Sequence, residues 1–330
     1  MVKISAEVGS VHDGSLGNAK ALSSLAKNIG ADIVKFQTHI ASTETLINAP
    51  MPPAFKGEPR YQYFERTSFN FDQWEELFKH CIEEKIEFQS SPFSIESLEL
   101  LIKLGVKSVK IPSGEVTNIP FLEIIKDSGL EIIISSGMSS WKELDEAIEI
   151  LSQSKSKITI LQCTSEYPLD YSRVGLNNIA EIKNRYGYDV GFSDHTPTNY
   201  SSFAAVSLGA TYIEKHLTFS KNMYGSDARY ATEIDEFKDL VDGIRAIETI
   251  TGNKTSKDKI AEEKKSIKEI YEKSIVLKKP LNKGETIDIN NLAYKKPGNG
   301  IKTNQYKKIV GLKAKKKINA DEIFQIDDLE

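Results

Sequence analysis

One alternation dominates this sequence through residue 218: a short apolar run, then a stretch with the periodicity of an amphipathic helix. Segments such as NAKALSSLAKNIG and WKELDEAIEILSQ have helical length and spacing. Strands that alternate with such helices predict βαβ units and a parallel sheet. Eight strands within about 250 residues match the size of a (β/α)8 TIM barrel. The predicted strands are 4–9, 32–38, 87–93, 108–114, 131–138, 158–164, 189–196 and 211–218.

A doubly wound open sheet is the alternative arrangement for the same alternation. Such sheets usually carry a glycine-rich phosphate turn after the first strand. The turn here reads AEVGSVHDGSLGN, which lacks GxGxxG spacing, and the sequence contains no GxxxxGK[ST] motif. The barrel is therefore favoured.

The character of the chain changes near residue 251. A polar, charged segment there reads TGNKTSKDKIAEEKKSIKEIYEKS, and short β-like runs with Gly, Pro and Asn turns follow it. We therefore expect a barrel domain over residues 1–250, a linker over 251–270 and a small β-rich domain over 271–330.

Composition excludes several classes of function. The formal net charge of −4 gives no reason to expect nucleic acid or an acidic membrane as partner. The sequence contains no apolar stretch of 18 residues and begins without the apolar run of a signal peptide. The two cysteines, Cys81 and Cys163, lack CxxC spacing and are interpreted as buried thiols of a cytoplasmic protein.

Polar side chains occur at the C-terminal end of every predicted strand, where barrel enzymes build their active sites. Several form i, i+2 pairs, so both members share one face of the strand. This regularity predicts a catalytic barrel. The residues are Glu7; Lys35 and Gln37; Ser90 and Ser91; Lys110 and Ser113; Ser135 and Ser136; Ser165 and Tyr167; Ser193 and His195; Glu214 and His216.

Two histidines, His195 and His216, end neighbouring predicted strands, which suits a shared divalent metal. The alternative is a pair of hydrogen-bonded histidines without metal. Glu214, on the same face as His216, could orient a histidine, hold a metal-bound water or pair with a lysine.

Lys35 and Lys110, with Ser113, Ser135 and Ser193, predict an anion pocket. Lysines supply point charge, and hydroxyls donate hydrogen bonds to phosphate or carboxylate oxygens. The alternative is that these lysines form ordinary surface salt bridges. Residues 51–69 are expected to form a long loop that covers a site or contacts another subunit.

Together these segments resemble the sialic acid synthase family, whose members condense phosphoenolpyruvate with an amino sugar. The C-terminal region with KKPGNGI is similar to the antifreeze-like (SAF) domain of that family. The resemblance covers nearly the whole chain. The matching segments are AEVGSVHDG, GADIVKFQT, FQSSPFS, KIPSGEVTN, SSGMSS, LQCTSEYP, GFSDHT and IEKHLT.

The resemblance implies a role for each position. His195 and His216 would hold manganese or magnesium. The SAF domain of one subunit would cover the barrel of its partner in a domain-swapped homodimer, bringing Lys296 to the sugar. Phosphoenolpyruvate would be bound by Lys35, Lys110, Ser113, Ser135 and Ser193. The sugar would contact Glu7, Tyr167, Ser165 and Asp227, and the reacting atoms would lie near Gln37 and Glu214. The predicted catalytic group therefore consists of Glu7, Gln37, Tyr167 and Glu214.

The departures from the family pattern concern the sugar. Ser165 stands where the family has Asn, Lys296 where it often has Arg, and residues 225–231 read GSDARYA around Asp227. The acceptor sugar, N-acetylmannosamine or a diacetylated 6-deoxy relative, is left open. The rival functions are a 3-deoxy-ald-ulosonate phosphate synthase, a lyase forming a Schiff base on Lys110, and a non-catalytic protein that binds anionic sugars.

Overall fold

The computed structural model describes residues 1–51 and 57–330 of the chain. They form two compact units, Met1–Gly252 and Asn253–Glu330. Part of the segment expected to be a loop, residues 52–56, lies outside the described residues, but Arg60–Thr67 of that segment is helical. Within the described residues, no helix combines the length and apolar character needed to cross a membrane.

The first unit is a closed barrel of eight parallel strands in sequential order, so the predicted TIM barrel is confirmed. Each strand pairs with its neighbours along the chain, and β1 pairs with β8 to close the barrel. The strands are β1 (Lys3–Gly9), β2 (Ile33–Thr38), β3 (Glu87–Pro92), β4 (Ser108–Ile111), β5 (Glu131–Ser135), β6 (Ile158–Cys163), β7 (Asp189–Asp194) and β8 (Tyr212–His216).

Local signals begin the helices of this unit. The sequences at Asn70 and Ser140 form capping boxes, in which side chain and backbone satisfy the free N–H groups of the first turn. The helices are α1 (Leu16–Asn28), α2 (Ala41–Glu44), α3 (Arg60–Thr67), α4 (Phe71–Glu83), α5 (Ile95–Leu104), α6 (Ile119–Asp127), α7 (Trp141–Leu151), α8 (Asn177–Tyr186), α9 (Tyr200–Ser207) and α10 (Ile234–Gly252).

The barrel interior has an apolar floor. Ile33, Ile133, Leu161 and Tyr212 form a small buried cluster there, and the charged residues lie toward the C-terminal ends of the same strands. Gly191 keeps this floor closely packed, since a Cβ at its position would lie 2.5 Å from the Leu161 side chain. The main core lies outside the strands, between sheet and helices.

The second unit has its own apolar core, which includes Ile275, Leu292 and Phe324. Its strands pair antiparallel. None of the residues in its first two helices is buried. The elements are α11 (Lys257–Glu263), α12 (Lys265–Tyr271), β9 (Ser274–Leu277), β10 (Leu292–Lys295) and α13 (Tyr306–Ile309).

Candidate active site

A cavity of about 410 Å³ opens at the C-terminal ends of the barrel strands. All the residues assigned a role in the first unit line it, as does the strand-end Ser91, whereas Ser90 and Ser136 are bonded elsewhere, to Thr38 and to the Leu161 carbonyl. Lys296 belongs to the second unit, where its ammonium lies 5.2 Å from the Tyr271 ring centre. The lining residues among the predicted ones are Glu7, Lys35, Gln37, Lys110, Ser113, Ser135, Ser165, Tyr167, Ser193, His195, Glu214, His216 and Asp227.

Strand register brings the charged members together. Glu7 on β1 is level with Lys35 on β2 and with His216 on β8. Glu214 on β8 is level with Ser193 on β7. Because alternate residues of a barrel strand point inward, these side chains all face the barrel interior, and the charged groups Glu7, Lys35, Lys110 and Glu214 form a layer above the apolar floor.

The four charged groups of this layer are paired with one another. Lys35 Nζ lies 2.6 Å from Glu7 and 3.7 Å from Glu214. Lys110 contacts Glu214 directly, and Ser193 donates a hydrogen bond of 3.0 Å to the same carboxylate. Of the three possibilities for Glu214, the structure shows lysine pairing. The two lysines are buried, so they are not surface salt-bridge partners.

The two carboxylates of this layer differ in acidity. Burial raises the pKa of Glu7 to about 7, which outweighs the opposing effect of Lys35. Burial also acts on Glu214, but Lys110 and Lys35 together hold its pKa down at about 2. At neutral pH Glu214 is therefore a carboxylate, whereas Glu7 can hold or release a proton.

Lys110 stays a cation. Burial favours the neutral amine, but Glu214 and Glu7 oppose it and raise the pKa of Lys110 above its usual range. A lysine that forms a Schiff base must be a neutral amine before it can attack. The geometry around Lys110 thus favours anion binding over covalent chemistry.

Three serines and a backbone amide form a compact hydrogen-bonding cluster beside the lysines. The Ser113 hydroxyl donates to Ser135, accepts from Ser165 and accepts from the Gly137 amide, each over 3.1–3.2 Å. A Cβ at Gly137 would lie 2.2 Å from Ser165 Oγ and 2.6 Å from Ser113 Oγ. The cluster therefore depends on glycine at 137, and its hydroxyls can redirect toward a bound oxyanion.

The histidine rings lie side by side at the cavity wall, with centres 5.8 Å apart. His195 Nδ1 donates to the Thr164 carbonyl at 2.9 Å, which leaves the lone pair on Nε2. The Tyr167 hydroxyl donates to that Nε2 at 2.8 Å. His216 Nδ1 is buried and has no hydrogen-bond partner among the described residues. Burial, more than any neighbouring charge, lowers the pKa of His216 to about 4.

These two imidazoles fit a divalent metal. His195 has the arrangement of a metal ligand, with its Nδ1 held by a carbonyl and its Nε2 lone pair facing the cavity, and His216 offers a buried ring nitrogen that has no hydrogen-bond partner among the described residues. A metal at His195 would replace the hydrogen bond from Tyr167. Within residues 1–51 and 57–330, no group of three or more His, Cys, Asp or Glu side chains is placed to hold a metal. Any further ligands would thus come from substrate or water.

Asp227 lies at the opposite end of the predicted site from the serine cluster. Its Oδ1 accepts a hydrogen bond from Ser226, and its Oδ2 is buried without a partner among the described residues. Oδ2 would lie 2.8 Å from a Cβ at Gly9, and Gln37 lies beside the same glycine. The Gln37 amide donates to Glu7 at 3.0 Å. Asp227, Gln37 and Glu7 can therefore contact one polar ligand.

The structure adds lining residues that the sequence did not predict. Cys163 is buried, as expected, but it also faces the cavity with Sγ 3.9 Å from His195 Nδ1. Burial would raise the pKa of this thiol, yet His195 and Lys110 lower it to about 7. His39 stacks between Phe64 and Phe93, at 3.8 and 4.2 Å between ring centres. The remaining additions are Arg60, Pro112, Gly114, Met138, Ser226 and Tyr230.

Comparison with known proteins agrees with this geometry. Residues 22–256 match the NeuB family and residues 272–330 match the SAF domain. The chain is 38% identical over 330 residues to N,N'-diacetyllegionaminic acid synthase of Campylobacter jejuni, with 98% of each chain covered. It is 34% identical over 329 residues to the Legionella pneumophila protein of the same name, covering 96% of this chain and 91% of the other.

A solved structure gives the same result. The N-acetylneuraminic acid (sialic acid) synthetase of Leptospira borgpetersenii superposes with a TM-score of 0.71 at 30% identity, covering 81% of this chain and 92% of that one. Barrel, cavity and C-terminal domain thus define an enzyme of the sialic acid synthase class. The chain belongs to the NeuB family.

Proposed function

We propose that this enzyme condenses phosphoenolpyruvate with the open-chain form of an N-acylated amino sugar, giving a nonulosonic acid and phosphate. A carbon–carbon bond forms between C3 of phosphoenolpyruvate and the sugar aldehyde, water adds at C2, and the C2–O bond to phosphate breaks. The observation that carries the proposal is the buried Lys35–Lys110 pair beside the serine cluster, at the mouth of a barrel.

The lysines and serines supply what phosphoenolpyruvate needs. Its carboxylate and phosphate are both anionic, and Lys35 and Lys110 lie in one layer, bridged by Glu214. Ser113, Ser135 and the Gly137 amide offer donors to phosphate oxygens, as preorganised dipoles do where charge develops. Because Glu214 is ionised, it keeps the Lys110 ammonium charged before the substrate arrives.

Glu7 is the group suited to proton transfer. Its pKa of about 7 allows it to give a proton to the aldehyde oxygen as the new bond forms. Gln37 fixes the orientation of the carboxyl group through its hydrogen bond to Oε1. Asp227 and Tyr167 would hold sugar hydroxyls, and Ser165 would be the member of the serine cluster that contacts the sugar.

His195 and His216 would hold manganese or magnesium. Bound there, the metal would act as a Lewis acid on the sugar aldehyde. The Thr164 carbonyl orients His195 for this role by accepting a hydrogen bond from its Nδ1–H group.

We further propose that the acceptor is a 2,4-diacetamido-2,4,6-trideoxy sugar, which would make the product a legionaminic acid. The 38% identity to a legionaminic acid synthase over nearly all of both chains supports this choice. The cavity lining also includes the apolar side chains of Phe64, Phe93 and Met138, on which acetamido and 6-deoxy methyl groups can pack.

A phosphate-release assay tests both proposals. Purified enzyme with manganese and phosphoenolpyruvate is offered the diacetamido sugar, N-acetylmannosamine and N-acetylmannosamine 6-phosphate, and each product mass is measured. We expect the highest kcat/KM for the diacetamido sugar. A preference for another acceptor would overturn the sugar assignment, and an absence of phosphate release with the whole panel would overturn the reaction.

A cytoplasmic homodimer completes the proposal, with Lys296 of each SAF domain serving the cavity of the partner. Free, buried cysteines are consistent with the reducing cytoplasm. Mixing two inactive variants, Glu214→Gln and Lys296→Ala, tests the exchange after subunit reassociation. Recovered activity in the mixture supports shared sites, and no recovery above the separate variants contradicts them.

A further inference from the structure

Lys215 and Asp194 form a buried ion pair on the outer face of the barrel, behind the histidines. They are level with each other on β8 and β7, one residue before His216 and His195 respectively. Lys215 Nζ lies 3.0 Å from Asp194 Oδ2, and the two side chains are 3% and 0% exposed. Neither residue lines the cavity, so neither can contact a substrate there.

The pair ties down the loop that follows His195. The Lys215 ammonium donates to the carbonyls of Thr196 and Thr198 at 2.8 and 3.0 Å, in addition to Asp194. These three acceptors satisfy its three protons. Asp194 Oδ1 accepts from both the amide and the hydroxyl of Thr196, each at 2.8 Å, and Oδ2 also accepts from Ser202 at 2.6 Å.

Burying an ion pair between two strands costs desolvation free energy. Desolvation of both charges often makes such a pair no more stabilising than apolar side chains of the same size. The neighbouring outer positions on these strands are apolar, as Phe192 and Ile213 show. An apolar pair could not bind the carbonyls of Thr196 and Thr198, because these carbonyls require a hydrogen-bond donor.

We propose that Asp194 and Lys215 are positioning residues that fix His195 relative to His216. Lys215 belongs to the strand of His216 and binds the loop of His195, so one side chain joins the two. Thr164 holds His195 from the other side through Nδ1. The functional meaning rests on the proposed metal-dependent reaction, but the arrangement of the histidines can be measured without metal.

The test compares Lys215→Met, Asp194→Asn and the double variant with wild type. Lys238→Met is the matched control, because the Lys238 side chain is exposed on α10 and pairs with Asp242 across one turn. The chain has five histidines, so 15N-histidine spectra of the metal-free protein are simple enough to assign the His195 tautomer. Manganese affinity, phosphoenolpyruvate affinity and Tm are measured on the same samples.

Removing both charges separates positioning from stability. We expect Lys215→Met to lower Tm, and the double variant to recover most of that loss, since no unpaired charge stays buried. In both, the Nδ1-protonated His195 signal should exchange between tautomers, and the manganese Kd should rise about tenfold or more. Phosphoenolpyruvate affinity should stay within about twofold, because Lys35 and Lys110 are untouched.

Two results would overturn the proposal: a double variant with the wild-type His195 spectrum, or one with wild-type manganese affinity. If wild type binds no manganese, the metal assignment fails, and the spectrum alone decides the role of the pair. If Lys215→Met does not fold, Ser202→Ala replaces it. That variant removes one hydrogen bond to Asp194 and should weaken manganese binding about twofold; unchanged binding and spectrum would count against positioning.

Discussion

Replacing Glu214 by Gln should cost the barrel about 3 kcal/mol of folding free energy at pH 7. Lys110 and Lys35 hold the pKa of this carboxyl at about 2, compared with 4.5 for an ordinary glutamate. Each pKa unit corresponds to about 1.4 kcal/mol, which gives this figure. Glutamine keeps the shape but leaves Lys110 buried without an anion, and breaking a buried pair typically costs about 3–5 kcal/mol.

The sign of the pH dependence follows from the lowered pKa. The contribution of Glu214 is fully present above pH 4.5, the value for the unfolded chain, and is lost as pH falls toward 2. Because the Glu214 charge also raises the pKa of Glu7, the difference between wild type and variant should be largest near pH 5, decline as pH rises through about 7, and shrink below pH 4.5. Both tryptophans, Trp74 and Trp141, lie in the barrel unit, so urea unfolding followed by tryptophan fluorescence reports on that unit.

Two further variants sharpen the measurement. Glu146→Gln removes an exposed carboxylate 3.9 Å from Lys142 and should change stability by less than about 0.5 kcal/mol. Combining Glu214→Gln with Lys110→Met removes both charges and should restore part of the loss. If Glu214→Gln costs no more than the Glu146 control at pH 7, the ion-pair reasoning is refuted.

The remaining predictions concern catalysis. Gly137→Ala should displace the serine cluster and raise the KM for phosphoenolpyruvate about tenfold or more, whereas Gly252→Ala, with open space around its Cβ position, should leave it unchanged. If Glu7 is the proton donor, kcat/KM should fall as pH rises through about 7, and this limb should be missing in Glu7→Gln; a limb that persists belongs to the substrate phosphate, which titrates near pH 6. Chelation should abolish turnover and added manganese should restore it, but not in His216→Ala; full activity of that variant would remove His216 from the metal site.

Much of the barrel could be predicted because its information is local. Apolar runs and amphipathic periodicity depend on neighbouring residues, and each of the eight predicted strands overlaps an observed one. The ends were less accurate: the run predicted over 108–114 ends as a strand at Ile111, because Pro112 precedes a short 3-10 turn at Ser113–Glu115. Helix α3 lies in the segment expected to be a loop, since Pro59 begins a helix there.

The inward-facing members of the candidate site were also accessible from sequence, because i, i+2 spacing sets the face of a strand. The ion-pair partner of each charged side chain could not be predicted from the sequence, because it depends on the register between neighbouring strands. Lys215 shows the difference: its outward direction follows from alternation, but its contact with Asp194 follows from the pairing of β7 with β8. The need for glycine at 137 likewise comes from residues on two other segments, Ser113 on one and Cys163 and Ser165 on the other.

Combined with the proposed assignment, the apolar floor of the barrel predicts an order of substrate binding. Ile33, Ile133, Leu161 and Tyr212 are buried in the barrel interior, and the cavity is lined by residues at the C-terminal ends of the strands. Under the proposed assignment, phosphoenolpyruvate occupies the inner chamber and the sugar stands nearer the entrance. Phosphoenolpyruvate is therefore expected to bind first, because a sugar that binds before it would block its access to the inner chamber. High sugar concentrations should therefore inhibit the enzyme competitively with respect to phosphoenolpyruvate. This is the substrate inhibition expected of ordered binding.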